Sequence, residues 1–197
     1  MSAPWQAHLA FALLAFLVLP AFGQTPHGMR LRLPLLLALG YLPIAGLPLA
    51  AYLRGIIDDL AITTLVALAY AALVRMDLLP APSPSSRGQI VLLFAVLALV
   101  LYPATLGLSQ FDPYRLGYHP RPLLLVMGAL ALALLAARNW PGVWMLGLAT
   151  LAFTLGGKFS GNYWDYLLDP FLALFCWIAT LREGGRLAWR RFRTVTD

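Results

Sequence analysis

The sequence predicts an all-α fold: a polytopic transmembrane helical bundle of about seven spans (six to seven), with the N-terminus outside and the C-terminus cytoplasmic. Three observations carry this. Hydrophobic residues make up 61% of the 197 and charged residues 11%, with mean hydropathy +0.78, far from the roughly one-quarter charged fraction of a soluble domain. Apolar runs close to membrane-crossing length recur between clusters of turn residues. The arginines fall unevenly among the loops between those runs.

The runs give spans at 7–23, 33–53, 56–74, 89–108, 122–137, 140–156 and 161–181. The first resembles a signal peptide in length. Its leader Met1-Ser2-Ala3-Pro4-Trp5-Gln6 carries no Lys or Arg, however, so it reads as a retained helix. The second is interrupted by Pro43 and Pro48 with Gly40 and Gly46, which kink a membrane helix and free backbone carbonyls. Residues 80–86, rich in Pro and Ser, read as a flexible cytoplasmic connector. The fifth and sixth runs are short and flank Arg138-Asn139-Trp140-Pro141-Gly142, as two tight spans or a hairpin that crosses partway.

Orientation follows from counting cations by loop. With a cytoplasmic C-terminus, ten of the 14 fall inside: Arg30, Arg32, Arg75, Arg87, Arg138, Arg182, Arg186, Arg190, Arg191 and Arg193. Arg54, Arg115, Arg121 and Lys158 fall outside, which satisfies the positive-inside rule. The chain then divides into a bundle, 1–181, and a basic interfacial tail, 182–197. In the tail Leu187, Trp189 and Phe192 alternate with arginines suited to anionic headgroups. Such a protein belongs in the bacterial inner (cytoplasmic) membrane. Its basic residues serve topology and lipid contact, and no nucleic-acid partner is expected.

The unusual polar residues gather on the outer side. Asp58 and Asp59 open the third span as adjacent carboxylates, more than one helix start needs. The longest outer loop begins at Ser109-Gln110-Phe111 and carries Asp112, Tyr114, Arg115, Tyr118, His119 and Arg121. A third segment holds Lys158, Asn162, Trp164, Asp165 and Asp169. Asp165 and Asp169, four apart, share a face of a kinked helix and repel unless a cation, an arginine or a shared proton intervenes. Alternatively, Asp169 caps a helix that starts at Pro170. The acids Asp58, Asp59, Asp165 and Asp169 could hold a divalent cation through oxygen ligands. His8 and His27 are isolated in sequence, and the single Cys176 has no paired spacing, so no haem, zinc or redox motif is present.

There is also no P-loop and no Ser-His-Asp order. These features point to an inner-membrane component of bacterial cell-envelope machinery. It would bind a lipid-linked or sugar-containing ligand, or a membrane-protein partner, at an acidic and aromatic extracytoplasmic site. The alternatives are an integral membrane enzyme acting on a lipid or glycan headgroup with the Asp cluster and His119 as proton carrier, or a small transporter or channel.

Overall fold

Proline and glycine punctuate the apolar runs, and helices begin and end where they stand. The structure, a computed structural model, describes residues 4–23, 25–108 and 112–196. Met1-Ser2-Ala3 of the leader and Ser109-Gln110-Phe111 of the long outer loop lie outside the described residues, as do the side chains of Leu187 and Phe192 in the tail.

The protein is mostly helical. In chain order it forms α1 (Pro4–Val18), α2 (Pro26–Gly40), β1 (Pro43–Ile44), β2 (Leu47–Pro48), α3 (Leu49–Ile57), α4 (Ile62–Arg75), α5 (Pro84–Thr105), a 3-10 turn (Pro113–Gly117), α6 (Arg121–Ala136), α7 (Trp140–Thr154), α8 (Trp164–Leu167) and α9 (Pro170–Thr196). Proline opens α1, α2, α5 and α9, where its missing N–H costs nothing and its φ already suits a helix.

Helix α1 packs on α2, α3 and α4, while α7 packs on α4 and α6 and α5 on α9. The main core gathers Phe94, Met127, Leu146, Tyr163, Trp164 and Leu167. A smaller core of Leu13, Phe16, Met29, Ala72 and Met76 lies between α1, α2 and α4.

Four sequence expectations are corrected. The second apolar run is not one kinked helix. Ala45 and Gly46, both at positive φ (47° and 87°), turn the chain between paired Ile44 and Leu47, so the prolines flank a hairpin. Next, α4 starts at Ile62, leaving Asp58 and Asp59 in the break after α3. The 80–86 segment is more than a connector: Ser83 caps α5, its Oγ accepting from Ser86 N at 3.1 Å. Finally, α8 and α9 are separated by extended Leu168 (φ −150°, ψ 131°). Pro170 cannot donate to the helix ladder and disfavours helical backbone at Asp169, so Asp165 and Asp169 do not share a helical face.

Among the described residues, α5, with 22, is the helix long and apolar enough to cross a membrane unaided. The apolar helices Trp5–Val18, Ile62–Arg75, Arg121–Ala136 and Trp140–Thr154 are shorter than the roughly 20 residues such a crossing takes.

Two arginines counted for topology also close α1. The Arg75 guanidinium donates to the carbonyls of Phe16 (2.6 Å), Leu17 (2.8 Å) and Leu19 (2.8 Å), and Arg32 donates to that of Pro20 (2.7 Å). The Phe16 and Leu17 carbonyls belong to the last turn, whose acceptors a helix leaves without partners, and those of Leu19 and Pro20 follow directly; a cation there complements the dipole. Both guanidinium groups also lie within 6 Å of the buried Phe16 ring centre, at 5.4 and 5.8 Å. Arg75→Leu is therefore expected to destabilise the protein by about 2–3 kcal/mol, with Arg75→Lys intermediate because an ammonium cannot span three carbonyls. Thermal unfolding of the detergent-solubilised variants checks the order.

Candidate functional site

Every helix start leaves backbone N–H groups without partners, and some of the polar residues singled out by sequence sit where such groups cluster. Asp169 is the clearest example. Its Oδ1 accepts from Leu172 N (2.8 Å), capping α9, while its Oδ2 accepts from Ala61 N (2.9 Å) at the start of α4. Ala61 offers no side-chain cap of its own. Beside this bond the Thr63 hydroxyl donates to Leu167 O at 2.7 Å. One buried carboxylate thus ties together two helix starts 108 residues apart in sequence.

Lys158 crosses the same region. Its Nζ donates to the carbonyls of Asp59 (3.1 Å), Leu60 (3.1 Å) and Asp165 (2.9 Å), filling all three donor positions. Burial pushes its pKa below the ordinary lysine value, opposed by Asp165, Asp59, Asp169 and Asp58 in that order. The Tyr166 hydroxyl accepts from Lys158 N (2.9 Å) and lies 3.0 Å from Lys158 O, which closes the loop around the ammonium stem.

Asp165 is half-buried. Tyr114 donates its hydroxyl to both carboxylate oxygens (3.0 and 3.2 Å), and Ser160 donates to Oδ2. Burial and the Asp165 charge hold the Tyr114 phenol protonated well above its usual range. The 3-10 turn carrying Tyr114 is fastened from beneath. Trp164 Nε1 donates to Pro113 O (2.8 Å), Asn162 Nδ2 to Tyr114 O (3.0 Å) and Tyr163 N to Gly117 O (3.0 Å). Asn162 also accepts from Trp164 N at 2.9 Å. Gly117 is required by this approach, because a Cβ there would run into the Asn162 side chain. Asp112 closes the near side by accepting from Tyr114 N at 3.0 Å.

Of the remaining candidates, Asp59 enters this network only through its backbone carbonyl. Asp59 pairs with Arg54 at 2.8 Å, and Asp58, exposed, ends α3 at φ 57°. Asp59 Oδ1 and Gln6 Nε2 are both buried without a hydrogen-bond partner among the described residues and line one narrow cleft. Arg115, Tyr118, His119 and Arg121 are exposed, with the Tyr118 ring edge-on to Tyr114 at 5.8 Å. Tyr118, His119 and Arg121 line an open recess of about 490 Å3.

The structure therefore joins Lys158, Asp165, Asp169, Tyr114, Asn162 and Trp164, and leaves the cationic rim apart. Among the described residues no three His, Cys, Asp or Glu side chains converge as ion ligands. Each carboxylate of the Asp58, Asp59, Asp165 and Asp169 set has different surroundings. Sequence reasoning gave no role to Ser160, Tyr166 or Asn139. The last is fully buried, caps α7 through Gly142 N (3.2 Å), and donates to Ser86 O and Gln89 Oε1 (both 2.9 Å), pinning the α6–α7 turn to the start of α5. Its place before Trp140-Pro141 was the available signal, an N-cap followed by proline in the first turn.

No family model matches the chain, and no curated protein or solved structure matches it either.

Asp169→Ala is expected to cost about 2–4 kcal/mol, since it strips two buried N–H groups of their acceptor, with Asp169→Asn milder because one oxygen remains. Unfolding in detergent measures both. A pH series tests Lys158. Between its lowered folded-state pKa and the unfolded value near 10.5, the unfolded chain holds more protons, so unfolding free energy rises with pH. Relative to Lys158→Met, the wild type should gain stability across that window and level off above it.

Proposed function

We propose that the chain is a multi-pass protein of the bacterial inner membrane, with about seven crossings, an extracytoplasmic N-terminus and a cytoplasmic C-terminus. Large apolar side chains stand exposed along α5, α6 and α9, including Leu99 (64%), Leu125 (77%) and Leu132 (68%). In water such surfaces would demand a partner, whereas lipid accepts them. The ten-to-four distribution of cations supports the orientation. Helices of 14–16 residues reach only about 21–24 Å. They cross by adding their flanking segments or by locally thinning the bilayer. Residues 1–181 form the bundle and 182–197 a basic cytoplasmic tail that meets anionic headgroups.

We further propose a binding role: a non-catalytic component of cell-envelope machinery that receives a lipid-linked, sugar- or phosphate-bearing headgroup on the extracytoplasmic face. One observation carries this. Arg115, His119 and Arg121 stand exposed, without an ion pair among the described residues, on or beside a turn whose backbone is fastened by Trp164, Asn162 and Tyr163. Two guanidinium groups, an imidazole and the Tyr118 ring on a rigid support suit a phosphate joined to a sugar. The buried acids beneath serve as the support. A partner protein's acidic segment would meet the same groups.

The enzyme alternative is favoured by the Asp165 carboxylate, which receives both a serine and a tyrosine hydroxyl within reach of the Lys158 loop. The two readings separate on one substrate. The wild type in nanodiscs should bind a polyprenyl-diphosphate sugar, and Arg115→Gln with Arg121→Gln should weaken binding about tenfold or more. Binding unchanged by the double variant removes the rim as the site. Turnover of that lipid, lost in a folded Asp165→Asn variant, would replace the binding role with catalysis.

A further inference from the structure

Away from the polar cluster, the face between α4 and α9 is not closed. Two recesses lie along it, one of about 390 Å3 near the start of α5 and one of about 510 Å3 toward the start of α4. Both are bordered by Ala67, Ala71 and Phe175, so they form successive stretches of one groove. Alanines at 67 and 71, one turn apart, keep its floor low. The groove follows α4 from Thr64 to Val74, about 15 Å, which is about half of a hydrocarbon layer roughly 30 Å thick.

Its chemistry changes at one end only. Arg87, on the first turn of α5, lines the mouth of the 390 Å3 recess with Pro82 and Tyr70. Its guanidinium is exposed and has no hydrogen bond or ion pair among the described residues, unlike Arg75 and Arg32, which are used up on α1 carbonyls. The rest of the groove is lined by carbon except at Thr64, whose hydroxyl is buried without a hydrogen-bond partner among the described residues. An apolar slot the length of one leaflet with a single unpaired cation at its mouth matches an amphiphile with one anionic head.

We propose that this groove binds an anionic phospholipid of the inner leaflet, one acyl chain lying over Ala67 and Ala71 and the phosphate against Arg87. The proposal rests on the membrane reading and orientation given above, and not on the extracytoplasmic ligand. A peripheral lipid held by a fixed cation and a shaped slot differs from bulk lipid in its preference for negative charge.

The test uses the full-length protein in nanodiscs of equal phosphatidylglycerol and phosphatidylcholine, with lipids retained after extraction counted by native mass spectrometry. The wild type should keep one phosphatidylglycerol in preference to phosphatidylcholine by about fivefold or more, the discrimination one headgroup–arginine contact supplies. Arg87→Gln, a surface change, should retain a lipid without preference, and Ala71→Trp, which fills the slot, should retain none while unfolding at the wild-type temperature. Preference surviving Arg87→Gln, or a lipid retained by Ala71→Trp, overturns the proposal. So does a groove found to hold a partner's helix, seen as a protein rather than a lipid lost with Ala71→Trp. If the wild type does not enter nanodiscs at all, the membrane reading itself fails. If it enters and shows no preference, only the groove's occupant is wrong.

Discussion

The carboxylate of Asp169 is the constraint around which the rest is arranged. A helix start presents N–H groups that demand an acceptor, and in a chain this apolar few side chains can offer one. Asp169 serves two starts at once, α9 through Leu172 and α4 through Ala61. With Thr63 bonded to Leu167 O, it welds the break before α9 to the break before α4. Because the bonded positions are so distant in sequence, Ala61 N–H finds this acceptor only after nearly the whole chain has been made. The junction is therefore a contact of high sequence separation, the kind that slows folding.

The same economy explains Lys158, Trp164 and Asn162. Their partners are largely backbone atoms of chain segments that cannot satisfy themselves in helices: the carbonyls of Asp59 and Leu60 in the α3–α4 break, and those of Pro113 and Tyr114 in the 3-10 turn. A buried network of this type holds because every member is satisfied. It leaves a stiff platform, and the flexible side chains Arg115 and Arg121 stand on it facing outward.

Much of the helical architecture was legible in the residues. The fifth and sixth apolar runs, 122–137 and 140–156, closely match α6 and α7, since Asn139-Trp140-Pro141 spells both a stop and a start. The hairpin at Ala45-Gly46 was not legible, because prolines at 43 and 48 read equally as kinks in a longer helix and Ala45 gives no hint of a positive φ. At the candidate site, the concentration of Lys158, Asp165, Asp169 and Tyr114 was visible as polar residues out of place in an apolar chain. Their partners were not, for a backbone carbonyl or N–H has no letter of its own. Pro170 did spell out the cap at Asp169, and the helical i, i+4 spacing to Asp165 argued the other way.

Helix α9 joins two regions that composition separates. It runs without interruption through Leu181 to Thr196, 27 residues and about 40 Å, so the apolar stretch after Pro170 and the arginine-rich end form a single rod. Such a rod outreaches the roughly 30 Å hydrocarbon layer. In the proposed membrane setting, any angle a lipid surface imposes on its basic end makes the opposite end, where Asp169 clasps Ala61, pivot with it.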